Sequence, residues 1–267
     1  MNRLYYILII TASFSCNKVV DVKVPAYESQ ITVEMYLQDG AILSCLLSES
    51  LPYTDTAINR SLDSALVVFS DGQRSDTLAN ASRMDMETGR WYNYVHHRRM
   101  AADAGKTYTL TITDKNNRKV TATTRFSKEQ VKIDSLSIRR SENNPDSFSL
   151  GVVFTDPVAT ENYYRALVIK DLNDYKTEHT DLVFNDVAFN GKPYSFFSEQ
   201  PYAKNDTVTV RIYSLTKDHF EYLQSTNNAR ISNFNPFTQP SRIASNITGG
   251  LGIFTSTRFD QRKVIIR

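Results

Sequence analysis

Strict alternation of apolar and polar residues constrains this chain most. "TYTLTIT" at 107–113 sets Tyr108, Leu110 and Ile112 on one side and threonines on the other. "DTVTVRIY" at 206–213 does the same with Val208, Val210 and Ile212. A period of two places alternate side chains on opposite faces of a strand, so these segments read as half-buried strands of antiparallel sheets. "QITVEMYL", "AILSCLLS", "SALVVFS", "SFSLGVVF" and "YYRALVIK" add strand candidates rich in β-branched and aromatic residues. Turn signals separate them at Asp39-Gly40, Asp71-Gly72, Thr88-Gly89, Lys115-Asn116-Asn117 and Asn190-Gly191. Many short strands at this spacing predict an all-β chain built of sandwiches or barrels.

One segment breaks the period. "SLTKDHFEYLQSTNNAR" reads as a short helix capped by Thr216, with Leu215 and Phe220 placed as a hydrophobic staple and Asn227-Asn228 as its stop. His219 on this helix reads as an exposed or edge residue rather than a ligand. A boundary falls near 127–130, where "TATTRFSKEQ" ends one strand run and "VKIDSLSI" opens another. The expectation is an immunoglobulin-like β-sandwich over 25–127, then a second β-rich domain over 128–267 carrying the helix. Sequence leaves open whether that second domain is a sandwich or an open barrel.

The start, "MNRLYYILIITASFSCNK", reads as an export signal over 1–15: Arg3 is its positive end and Leu4 to Ile10 its apolar core. The apolar run is too short for a membrane-spanning helix. Cys16 after small residues resembles the acceptor of a bacterial lipoprotein signal, lipidated and made the first residue by cleavage; 16–24 then form the anchor and tether. The only other cysteine, Cys45, lies in an apolar strand and reads as a small buried hydrophobe. Loss of the signal removes Arg3, taking the formal charge from +2 to +1. The local basic clusters "HHRRM" and "IRRSE" read as solvated strand ends or turns, so no nucleic-acid footprint is expected.

Motifs for chemistry are sparse. The four histidines, His96, His97, His179 and His219, include no pair at helical spacing, and adjacent His96 and His97 would face opposite ways on a strand. No metal, cofactor or catalytic residue is expected, and no Gly-x-Ser-x-Gly elbow occurs. The glycine-rich "SNITGGLGIF" at 245–254 lacks the Lys and Ser/Thr of a Walker loop and the βαβ context of a dinucleotide site. Gly249 and Gly250 read instead as a turn or bulge with positive φ, leading into a strand. Asp-Ser/Thr-aliphatic triplets at Asp55, Asp63, Asp76, Asp134 and Asp206 resemble an O-glycosylation acceptor of exported Bacteroidetes proteins, and read equally as turn chemistry.

Several of these fragments, in order, resemble one family: "QITVEMYLQDG", "AGKTYTLTI", "VVFTDPVATENYYRALV", "DTVTVRIYSLTKDHFEYL" and "NPF" with "SNITGGLGIF". The chain is similar over most of its length to the Bacteroidetes outer-membrane lipoproteins grouped as domain of unknown function 4249. Tyr163, Tyr164 and Arg165 match its "NYYR" element, and Gly249, Gly250, Gly252 and Phe254 its closing signature. The resemblance assigns them no role; on a strand, Tyr163 and Arg165 share a face and Tyr164 takes the other. It implies a non-enzymatic, lipid-anchored outer-membrane accessory protein, held through Cys16 and assisting a TonB-dependent transporter in ligand capture. The alternative is a structural adhesion or surface-assembly component.

Overall fold

The computed structural model describes residues 27–267 apart from 53–59, 87, 159–160, 172–175, 200, 235–238 and 240. The expected signal, tether and Cys16 lie outside the described residues, as does the side chain of His179. The strands are β1 (Ile31–Gln38), β2 (Ile42–Glu49), β3 (Ala65–Ser70), β4 (Ser75–Asp85), β5 (Arg90–Arg99), β6 (Tyr108–Asp114) and β7 (Lys119–Thr124). There follow β8 (Ile133–Arg140), β9 (Phe148–Thr155), β10 (Tyr163–Asp171), β11 (Lys176–Asn185), β12 (Pro193–Phe197) and β13 (Thr207–Leu215). Helix α1 (Lys217–Phe234) and the long strand β14 (Leu251–Ile265) complete the order. The chain is all-β with one helix, as its alternation requires.

Eleven strands form one continuous sheet in the order β11-β10-β13-β14-β1-β2-β5-β4-β3-β6-β7. In the first half this sheet curls over a core that includes Val33, Met35, Leu47, Phe69, Tyr108 and Ile112. Strand β4 turns the corner: Ser75–Leu78 pair with β3, Ala79–Asp85 pair with β5, and the register breaks between Asn80 and Arg83. A bulge of this kind bends a strand from one layer into the next. The far edge returns to the segment before β14, where Thr121 and Thr248 exchange backbone hydrogen bonds of 3.1 and 2.8 Å. Cys45 is buried in this core, and burial pushes its thiol above the usual range.

The second half is a sandwich. The β11-β10-β13-β14 part of the large sheet faces the separate sheet β12-β9-β8. Val208, Val210 and Ile212 from β13 meet Leu150, Val152 and Phe154 from β9 across the layer gap. Fully burying each such side chain stabilises the fold by roughly 1.5–3 kcal/mol. Tyr164 stands among Phe154, Phe184 and Phe189, and its hydroxyl donates to Asp156, which is buried and also accepts from the Gly191 N–H at 2.8 Å.

Strand β14 belongs to both halves. Residues 251–257 pair in parallel with β1, and 258–265 pair antiparallel with β13. Phe254 lies in the first core, while Val264 packs on the second. The even-numbered residues of β14 thus turn to the two cores. The odd-numbered ones face the other way: Thr255 meets Thr216 at the start of α1, Phe259 packs at a tilt on Tyr213, and Gln261 accepts from Arg211. The division placed at 127 separates β1–β7 from β8–β13; β14 runs across it.

The glycine-rich segment builds the entry to this shared strand. Gly249 has φ of 82° and Gly252 of 107°; Gly250, expected to need positive φ, does not show it. A Cβ on Gly252 would stand 2.0 Å from the Val33 carbonyl oxygen, so only glycine lets β14 lie this close to β1. Asn246 covers the other side: its side chain donates to the Phe254 carbonyl at 2.8 Å and accepts from the Phe254 N–H at 3.0 Å. A side-chain amide here satisfies backbone groups that a neighbouring strand would otherwise take.

Three local expectations need correction. Helix α1 begins as expected, with the His219 N–H donating to Thr216 Oγ1 at 3.2 Å, and Leu215 and Phe220 packed together. It continues past Asn227-Asn228 to Phe234, because asparagine only disfavours a helix and does not end it. His219 is not at an exposed edge; it is 4% exposed, pressed between α1 and the sheet. "HHRRM" is not simply solvated: Arg98 donates to Asp76 Oδ2 at 2.7 Å and to Asp71 Oδ2 at 2.8 Å, both buried carboxylates.

Candidate functional site

The face of the large sheet turned away from both cores carries a cleft of about 440 Å³ where the two halves meet. Alternation decides what it presents. On β1, Ile31, Val33, Met35 and Leu37 go to the core, which leaves Tyr36 and Gln38 for the cleft. On β13, Val208, Val210 and Ile212 go to the second core, which leaves Arg211, Tyr213 and Leu215. Register then aligns the pieces, with Arg165 opposite Tyr213 and Leu167 opposite Arg211. Helix α1 closes one side through His219.

Five arginines line the cleft: Arg83, Arg90, Arg99, Arg165 and Arg211. Their partners divide them. Arg165 donates twice to Asp181, at 2.7 and 2.7 Å. Arg90 lies 4.3 Å over the Tyr36 ring and 3.7 Å from Glu34. Arg211 donates to Gln261 at 2.6 Å. Arg83 and Arg99 meet neutral acceptors, the Ser44 hydroxyl at 3.0 Å and the Gly40 carbonyl at 2.8 Å. Neither has a carboxylate within ion-pair distance among the described residues. Asp39 and Asp85 are the acidic residues of the lining.

His219 lies against Tyr36, ring centroids 5.6 Å apart, and its buried Nδ1 has no hydrogen-bond partner among the described residues. Burial, then Arg165 and Arg90, push its pKa down to about 3, so the imidazole is neutral at physiological pH. Burial also raises Tyr36, so it stays a protonated hydroxyl. The cleft therefore offers guanidinium donors, tyrosine faces and one neutral imidazole.

The residues singled out by sequence do different jobs. Tyr163 packs on Phe220 at 4.8 Å beneath α1, Tyr164 fills the second core, and Arg165 alone of the three reaches the cleft. Gly249, Gly250, Gly252 and Phe254 shape the β14 entry. His96 accepts from the Arg98 N–H through Nδ1 at 3.1 Å, and His97 is exposed. The arginines were missed because they are scattered from 83 to 211; their parity opposite core residues was the signal available for Tyr36, Arg165 and Arg211. Among the described residues no group of three or more His, Cys, Asp or Glu could hold a metal ion. No helix among them is long and apolar enough to cross a membrane.

Fold and cleft define an all-β protein of two packed halves laced by one strand. The family described as Domain of unknown function (DUF4249) matches residues 17–263, and the chain belongs to it. No curated protein matches. Among solved structures, a cytokine receptor complex is similar at 9% identity, covering 70% of this chain and 86% of that one, with a TM-score of 0.25. A two-domain fibronectin type-III segment of chicken tenascin is similar at 12% identity, covering 70% and 91%, with a TM-score of 0.20. Likenesses this slight carry no weight for architecture or function.

Proposed function

We propose that this chain is a non-enzymatic binding protein, lipid-anchored at the outer membrane of a Bacteroidetes cell through Cys16, that captures a ligand for a TonB-dependent transporter. The observation that carries ligand capture is the cleft of about 440 Å³, within the size range of small-molecule sites and lined by three tyrosines and five arginines. The export signal and Cys16 support the anchor; tethering to a membrane raises the effective concentration beside any partner in the same plane. Adhesion is the second reading, supported by β8, an edge strand of the smaller sheet whose outer residues are mostly exposed.

The test is affinity purification of the full-length lipidated protein from detergent-solubilised native membranes, with mass spectrometry. A stoichiometric TonB-dependent transporter supports the accessory role. Recovery of self-copies or fimbria-like subunits alone overturns it in favour of adhesion.

A further inference from the structure

We propose that the cleft binds a small organic oxyanion, a carboxylate or phosphate on a ring-sized body, with the anionic group held by Arg83 and Arg99 and the body lying against the tyrosines. This deepens the ligand-capture reading and rests on it. Three observations carry it. First, Arg83 reaches Ser44 on β2 and Arg99 reaches Gly40 in the turn just before it, and both donate only to neutral oxygens among the described residues. A guanidinium keeps spare N–H donors in a planar fork after one such bond, and that fork fits carboxylate or phosphate oxygens two at a time.

Second, the remaining guanidiniums keep the cleft from favouring a cation. Asp181 engages Arg165 from outside the lining, and Glu34 sits by Arg90. Asp39 and Asp85 are outnumbered by the five arginines of the wall. Tyr36, Tyr92 and Tyr213 line the wall beside these donors, Tyr36 with Arg90 over its ring and Tyr213 with Phe259 against its own, so aromatic side chains adjoin the charged end of the cleft.

Third, His219 lines the same cleft with a buried Nδ1 lacking a partner among the described residues. Buried polar atoms are nearly always satisfied, and an unsatisfied one calls for an explanation. A neutral imidazole carries one donor and one acceptor, so it can bond a ligand hydroxyl or oxyanion without adding charge.

The experiment uses the purified full-length chain and four probes at constant ionic strength: phenyl phosphate, benzoate, citrate and phenol. Isothermal titration should show saturable binding of at least one anion, with phenol, the same ring uncharged, weaker by about tenfold or more. Arg83→Gln with Arg99→Gln should weaken the anion by about tenfold or more, while Arg230→Gln on the exposed side of α1 should leave it unchanged. Preference for phenyl phosphate over benzoate, or the reverse, identifies the head group. In parallel, the unmodified protein labelled with ¹⁵N-histidine should show the His219 resonance moving with anion concentration. That readout decides the matter if the double variant does not fold.

No saturable binding of any anion up to about 10 mM overturns the proposal, as does equal binding by the double variant. A His219 resonance that stays still while an anion binds overturns the site. Transporter recovery without anion binding would sink this inference and leave the accessory reading standing; anion binding without a transporter would do the opposite.

Discussion

Gly252 offers the sharpest test of how the two halves are joined. Its φ of 107° is a region that side-chain-bearing residues rarely adopt, which costs an alanine about 1–3 kcal/mol. The new Cβ would also stand 2.0 Å from the Val33 oxygen and 2.9 Å from the Val33 carbonyl carbon and nitrogen. These are backbone atoms of the neighbouring strand, so β1 and β14 must separate locally by about 1 Å to relieve the overlap. The separation falls within a parallel ladder of seven residue pairs, Thr32↔Leu251 to Gln38↔Thr257. Weakening one or two of its hydrogen bonds costs about 0.5–1.5 kcal/mol each. Together Gly252→Ala should destabilise by about 1.5–6 kcal/mol, or about 3–24 °C in Tm for a chain of this size.

Gly72→Ala isolates the steric part. Gly72 also has positive φ, 85°, yet nothing lies within 4 Å of where its Cβ would go. It should lose about 1–2 kcal/mol from backbone strain alone. Thermal unfolding followed by circular dichroism compares the two. If Gly252→Ala falls no further than Gly72→Ala, β14 does not lie against β1 as described, and the strand shared by the two halves loses its support.

Three other outcomes follow from single sites. Asn246→Ala should cost about 2–4 kcal/mol in urea unfolding, because it strands both the N–H and the carbonyl of Phe254. Arg98→Gln should destabilise by about 1.5–3 kcal/mol at pH 7, because buried Asp71 and Asp76 lose the guanidinium they share and keep only Lys106 at 3.5 Å and Arg74 at 2.7 Å. Hydrogen bonding to Arg98 holds Asp71 well below the carboxylate range, so this stability is present above about pH 4 and lost as pH falls through the folded value; the gap between wild type and variant should shrink in acid. His219 acts in the same direction for a different reason: burial drops its pKa from 6.5 unfolded to about 3 folded, so the unfolded chain binds the extra proton between those values. Stability should therefore fall with pH below about 6.5, by ~2 kcal/mol from this residue at pH 5, and His219→Gln should remove that slope in Tm measured across pH.

Much of the architecture was legible in the chain because it is local. Alternation marked β6 and β13, since a half-buried strand must place every second side chain in the core, and runs of β-branched and aromatic residues marked β1, β2, β3, β9 and β10. Turn residues were legible for the same reason: Gly40, Gly72, Gly89, Asn117 and Gly191 all adopt positive φ where the turn signals stood. Thr216 announced the start of α1 through its own short-range hydrogen bond.

The tertiary structure decided what depends on distant partners. Nothing near Gly252 says that its strand will pair with β1, more than two hundred residues earlier in the chain; the need for glycine becomes visible only as the distance to Val33. His219 looked peripheral because its burial comes from Tyr36 on another element. The cleft followed the same rule. Its arginines are spread over β4, β10 and β13 with one each and β5 with two, Arg90 and Arg99, and sheet pairing through β14 gathers them. Strand period is set by neighbours two residues away, whereas a site is set by which strands lie side by side, and that order is fixed by long-range hydrogen bonding and core packing.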